Sequence, residues 1–282
     1  MHSQRKAKLS LGSVQFGMPY GIANVSGVPG DKELAAILQF AREHKVGAID
    51  TAQAYGNAEL RLGEFGVRDF KITTKVLGTH SIREQLLGSL RALQIPRVDT
   101  VLLHDEQALL GPNGPYIFDQ LLDARATGLV ENIGVSVYSS DVATELIQRY
   151  DLSVIQAPVN VLDRRFLGDP FQKLMSSKGV MLQARSIFLQ GLLIDKNAAA
   201  RLPTNVDRVP LDMWFKWTEE QVHGALEHAL NFVLCLPEVK SVVLGVDSVK
   251  QLADLVAAAT IRYPQGCPEF PFSPALVDPR SW

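Results

Sequence analysis

An excess of charge of either sign is missing from this sequence. Against 30 acidic residues stand 28 basic ones, a formal net charge of −2. Neither nucleic acid nor an anionic membrane is therefore expected as a bulk partner. Cysteine is scarce as well: Cys235 and Cys267 are the 2 among 282 residues, and they form no C-x-x-C pair. That argues against a disulfide scaffold and is expected of a cytoplasmic chain. No run approaches the ~20 uninterrupted apolar residues of a membrane helix. The start carries Arg5, Lys6 and Lys8, but the following "LSLGSVQFG" is broken by polar residues and Gly. It reads as a solvated lead into a first strand, not as the apolar segment of a secretion signal.

Familiar chemical signatures are absent too. No G-x-G-x-x-G follows a predicted strand, and there is no G-x-x-x-x-G-K-[ST], H-E-x-x-H or G-x-S-x-G. These absences remove the standard dinucleotide fold, the phosphate loop, the zinc protease helix and the serine hydrolase elbow. No metal site is expected. His223 and His228 lie five apart on a predicted helix, so they would diverge by about 140° and not face one ion.

What is present is alternation. Short apolar runs at Leu9–Phe16, Gly47–Asp50, Phe70–Val76, Val98–His104, Val130–Val137, Ser153–Pro158, Val180–Ala184 and Val239–Leu244 read as strands. Between them, helical periodicity predicts helices over Asp31–His44, Asn57–Phe65, Ser81–Leu93, Tyr116–Ala126, Ser140–Tyr150, Pro170–Ser177, Met213–Leu234 and Ser248–Ala259. Asp31 and Ser81 are expected to cap their helices. Continuously apolar strands alternating with helices indicate a parallel sheet covered on both faces. A chain of this length admits two domains, but eight units without a linker predict one closed (β/α)8 TIM barrel over residues 1–282. An irregular insertion at 186–212 and a proline-rich tail at 261–282 complete the domain. The tail is expected to be loop-like, covering one end of the barrel or moving freely.

Barrels of this kind place their chemistry at the C-terminal ends of the strands. There the sequence sets Asp50, Tyr55 in the loop "TAQAYGN", Lys75 and His104. A buried lysine and a buried aspartate are each costly alone, so opposite charges on neighbouring strand ends predict a pair. A tyrosine beside the ammonium has its phenolate favoured. An imidazole N–H across the gap would complete a two-donor site for a developing alkoxide. Singly, each position has an ordinary alternative: Tyr55 in a turn, Lys75 at a strand end, His104 as a satisfied core histidine. Their order on successive strand ends carries the argument.

The segments "LGSVQFG", "AIDTAQAYGNAELRLGE", "ITTKV", "VLLHD", "IGVS", "VIQAPVNVLDRR" and "VVLGVDSVKQLADL", in this order from about Leu9 to Ala259, resemble the aldo-keto reductase family. The resemblance implies a catalytic tetrad of Asp50, Tyr55, Lys75 and His104. It implies reduction of an aldehyde or ketone by hydride transfer from NADP(H) or NAD(H), or the reverse alcohol oxidation, with Tyr55 as general acid. It also implies a cofactor site formed by Gly12, Ser13, Asp50, Ser136, Gln156, Arg185, Ser186, Gly245, Ser248, Gln251 and Asp254.

Three positions depart from the family pattern. Val137 stands where an Asn is usual, and Arg185 where an aromatic ring stacks on the nicotinamide. Arg185 would instead stack as a guanidinium plane, pair with a carboxylate or meet an anionic substrate. After the eighth strand the usual Lys and Arg for a 2′-phosphate are missing: Lys250 is the nearby cation and Asp247 would repel phosphate. Cofactor preference is thus open, with NADH or dual use a live expectation.

Phe16, Tyr20 and Phe188 are the candidate substrate residues. The segment "LGSVQFGMPYGIAN" resembles a bacterial branch associated with sugar pathways, which makes a sugar-derived carbonyl one candidate substrate. The surface fits a monomer or a homodimer. Two other functions share these residues. One is a nucleotide-sensing regulatory protein on the same scaffold. The other is a lyase or isomerase using Tyr55 and Lys75 without net redox.

Overall fold

The structure, a computed structural model, describes residues 6–261 and 266–282. Met1–Arg5, part of the predicted basic start, and residues 262–265 of the tail lie outside the described residues.

Eight parallel strands close into a barrel in sequence order. They are β1 (Leu9–Gly12), β2 (Ala48–Asp50), β3 (Lys71–Val76), β4 (Val98–Leu103), β5 (Val130–Ser136), β6 (Val154–Pro158), β7 (Met181–Arg185) and β8 (Val239–Gly245). Closure is made by β1, which pairs with β2 on one side and β8 on the other. The apolar strand residues are buried because helices cover the outside, while Leu11, Ile49, Ile72 and Val101 belong to one continuous core. The register brings Gly12 level with both Asp50 and Gly245, and Ser136 level with Gln156. The polar strand ends are thereby gathered on one rim.

The helices follow their sequence signals closely. In Ile82–Leu93, Ser81 accepts from the Glu84 N–H, and Ile82, Leu86, Leu90 and Leu93 face inward. Gly63 lets the helix Ala58–Phe65 approach its neighbour: a Cβ there would lie 2.0 Å from the Ala92 carbonyl oxygen.

Several expectations need correction. The first strand ends at Gly12, because Val14–Gly17 turns into a short helix that packs Phe16 into the core. Gly30, not Asp31, occupies the N-cap of Asp31–Glu43, and the Asp31 carboxylate instead pairs with Arg61 at 2.7 Å. The long helix predicted over 213–234 is two helices, Val209–Glu219 and Ala225–Leu234, with Gly224 extended at the second N-cap. His223 therefore sits in the break and not on the helix, which brings its ring within 6.3 Å of His228. His228 is buried against Trp217. Among the described residues no group of three or more His, Cys, Asp or Glu is placed to hold a metal ion.

The insertion is not merely irregular, and residues 267–282 of the tail pack against it. Leu189, Leu192, Leu193, Leu202, Val206, Leu211 and Trp214 form a second core with Leu276 and Val277 of the tail. The Trp214 indole donates to the Leu193 carbonyl at 2.9 Å. Arg164 donates to the Pro268 carbonyl, fixing the tail to the segment after β6. No helix of the described residues is long and apolar enough to cross a membrane.

Candidate active site

The C-terminal rim opens into a cavity of about 730 Å³, within the range of small-molecule sites. At its floor Lys75 is buried, and its Nζ donates to Asp50 Oδ1, to the Thr51 carbonyl at 3.2 Å and to the Tyr55 hydroxyl at 3.2 Å. Asp50 is held on its other oxygen by Gln156 Nε2 at 2.6 Å. These contacts satisfy two buried charges that would each be costly alone. Burial opposes the ammonium form of Lys75, but Asp50 and Tyr55 outweigh it and raise the lysine pKa. Lys75 is thus a fixed positive charge 5.0 Å from the centre of the Tyr55 ring.

His104 follows the end of β4 and meets Tyr55 edge to face, with ring centroids 5.8 Å apart. Burial, reinforced by the positive charge of Lys75, lowers its pKa from 6.5 to about 4. Near neutral pH His104 is therefore an uncharged donor. The predicted four residues come together in one place, although their numbers span 55 positions.

The other predicted positions divide. Gly12, Ser13, Ser136, Gln156, Arg185, Ser186, Gly245, Gln251 and Asp254 line the same cavity, as do Tyr20 and Phe188. Phe16 does not, because it is fully buried in the core. Ser248 does not line it either: its hydroxyl caps the helix Val249–Ala258 by accepting from the Gln251 N–H at 3.3 Å. Three buried polar atoms on lining residues, Ser13 Oγ, Gln15 Oε1 and Gln156 Oε1, have no hydrogen-bond partner among the described residues. Such atoms are rare in folded proteins, and these three are open to a hydrogen bond from water or from a molecule entering the cavity.

Residues that sequence reading missed complete the walls. Gln15 reaches across β1 to Gly245, where a Cβ would come within 2.2 Å of its amide nitrogen. Gln190 joins the loop after β7 to the loop after β1, its backbone oxygen accepting from Ala23 N–H and its side-chain oxygen from Ile22 N–H. Ser186, Leu189 and Gln190 adopt positive φ in this segment, strain of the kind that collects at binding sites. Tyr138 and Arg280 also line the cavity. Tyr138 had a faint signal in the run "IGVSVY". Arg280 had none, since the packing of the tail alone brings it there.

A closed parallel barrel with a lysine–aspartate pair, a tyrosine hydroxyl and a neutral histidine on its C-terminal rim belongs to the (β/α)8 class, which places its chemistry at that rim. Comparison with known proteins narrows the class. The model of the aldo/keto reductase family matches residues 8–266, and the chain belongs to that family, hence to the oxidoreductases acting on carbonyl groups. It is 27% identical over 209 residues to an aldo-keto reductase of Mycobacterium avium, covering 70% of each chain. It is 25% identical to a D-threo-aldose 1-dehydrogenase of a Pseudomonas species, in an alignment covering 94% of this chain and 96% of that one. Among solved structures, the holo form of an aldo-keto reductase from Bacillus halodurans superposes with a TM-score of 0.74 at 21% identity, covering 90% and 87% of the two chains. That likeness is one of fold.

Proposed function

We propose that this protein interconverts an aldehyde or ketone and its alcohol with a nicotinamide cofactor, using Tyr55 as the proton donor in reduction. The observation that carries the reading is the hydrogen-bonded row Asp50–Lys75–Tyr55 beside a neutral His104. A carbonyl oxygen gaining electrons needs a proton and a donor. Tyr55 gives the proton. Lys75 stabilises the phenolate left behind, and Asp50 keeps Lys75 charged and in place. His104, being neutral, offers an N–H to the same oxygen without adding a second charge.

The cavity fits a nicotinamide nucleotide. Ser136 and the unpartnered Oε1 of Gln156 suit a carboxamide, and Ser13 and Gln15 supply further polar contacts. When bound, the reduced cofactor supplies the hydride that reaches the carbonyl carbon.

At the far end, Asp247, Gln251 and Asp254 line the wall. Lys250, the cation expected there from sequence, is tied to Asp254 at 2.7 Å. A 2′-phosphate would meet carboxylates, and among the described residues lining that end no unpaired cation offsets them, so NADH is the favoured cofactor. A relative acting on a D-threo-aldose supports a sugar-derived carbonyl as the substrate. The reading also implies a cytoplasmic enzyme working on small molecules, with no part for nucleic acid or membrane.

The experiment compares wild type with Tyr55→Phe by cofactor fluorescence titration and by turnover on an aldehyde panel. The variant is expected to bind cofactor normally and to lose roughly 10²–10⁴-fold in turnover. Unchanged turnover would remove Tyr55 as the acid, and binding of the cofactor with no turnover of any carbonyl by wild type would remove the enzymatic reading. In the same titrations NADH should bind tighter than NADPH. A preference for NADPH above tenfold would overturn that choice.

A further inference from the structure

Arg185 ends β7, in register with Pro158 of β6, yet its guanidinium extends past β6 to the end of β5. There Nη2 donates to the Val137 carbonyl at 3.0 Å, and Nη1 donates to the neighbouring Ser186 hydroxyl at 3.3 Å. Its Cζ lies 4.0 Å from the centre of the Tyr138 ring, and the Cζ of Arg280 lies 3.7 Å from the same centre. Tyr138 thus serves as a platform between an arginine of the barrel and one of the tail.

The two arginines differ in what they hold. Arg280 is engaged by Asp278, through Nε at 2.9 Å and Nη2 at 2.6 Å. Arg185 is half-buried in the cavity wall and has no carboxylate partner among the described residues. A guanidinium carries five N–H donors in a planar fork, and the contacts above use two of them. The carboxylates on this side are committed elsewhere. Glu106 Oε2 accepts the Tyr138 N–H at 2.7 Å, and Asp105 Oδ1 accepts the Gln107 N–H at 2.9 Å. Arg185 is also close enough to the reacting groups for its charge to contribute to the low pKa of His104. A partly desolvated guanidinium with free donors, facing the cavity whose floor holds Lys75 and Tyr55, is suited to receive a carboxylate.

We propose that Arg185 binds an anionic group on the substrate, so that the preferred substrates are carbonyl compounds carrying a carboxylate. This rests on the reading of the cavity as a carbonyl-reducing site and names its substrate class. Glu106 and Asp105 on the same wall favour a singly charged carboxylate over a doubly charged phosphate ester. Tyr138, pressed between Arg185 and Arg280, positions the fork, which makes the tail a part of the specificity site.

Two measurements on the full-length protein separate this inference from the reading beneath it. Calorimetric titration with glutarate, and with glutaramide as its neutral counterpart, needs no turnover. Wild type should bind glutarate at least tenfold tighter than glutaramide, Arg185→Met should abolish the difference, and Arg185→Lys should retain part of it. Equal binding by wild type, or discrimination that survives Arg185→Met, would overturn the inference. Turnover then compares 4-oxobutanoate with butanal and glyceraldehyde 3-phosphate with glyceraldehyde. The expected result is a kcat/KM at least tenfold higher for 4-oxobutanoate than for butanal, and a smaller charge preference for the phosphate. Equal reduction of 4-oxobutanoate and butanal would overturn the inference and leave carbonyl reduction standing. Glutarate discrimination that depends on Arg185, without reduction of any aldehyde, would uphold the anion site and overturn the reductase reading. A preference for the phosphate ester over 4-oxobutanoate would overturn the carboxylate assignment.

Discussion

Replacing Lys75 by methionine strands the Asp50 carboxylate. Asp50 is 4% exposed and Lys75 2%, so water cannot take over the role of the ammonium. After the substitution Asp50 keeps the Gln156 amide on Oδ2 but loses the charged donor on Oδ1. Breaking a buried pair from one side costs about 3–5 kcal/mol. At roughly 2–4 °C per kcal/mol for a chain of this size, the melting temperature should fall on the order of 10 °C. Removing both charges, in Asp50→Asn with Lys75→Met, leaves no stranded carboxylate and should cost less than the sum of the single changes.

Urea denaturation of wild type, both single variants and the double variant at neutral pH supplies the cycle. Costs that add to within about 0.5 kcal/mol would show no coupling and refute the pairing.

Three other outcomes follow from the geometry. His104 should remain neutral down to pH about 4, so its NMR titration midpoint lies near that value. Because an unfolded histidine takes up its proton near pH ~6.5, the stability owed to neutral His104 is complete above that pH and is lost on descending to pH 4; a midpoint near 6.5 would refute the assignment. Gly63→Ala should destabilise despite a helix-propensity gain of about 1 kcal/mol, since the new Cβ meets the rigid Ala92 carbonyl and overpacking costs about 1–3 kcal/mol or more. Gly88→Ala, whose nearest neighbour is the flexible Gln53 amide at 3.2 Å, should instead be neutral or stabilising in the same melts.

The barrel and its reactive floor were legible for a physical reason. Buried parallel strands must be apolar along their length, so a polar residue at a strand end stands out, and Asp50, Lys75 and His104 did. Periodicity is blind, however, to which of two enclosed environments an aromatic residue enters. Phe16 was expected in the cavity and lies in the core, because the chain turns into a helix directly after Gly12. Ser248 shows a similar ambiguity, since a helix cap and a ligand contact ask for the same hydroxyl. The break at 220–224 was concealed because apolar residues continue on both sides of it.

The sequence by itself determined the order of strands and helices, the single barrel and the identity of the four rim residues, since each depends on local pattern or on position along one strand. Only the tertiary structure decided what those residues face. It filled the insertion's core with the tail, and set Arg280 and Arg185 against the ring of Tyr138. The contacts of the tail join segments far apart in sequence, Tyr138 and Arg280 among them, and packing of the whole chain, not local propensity, brings them together.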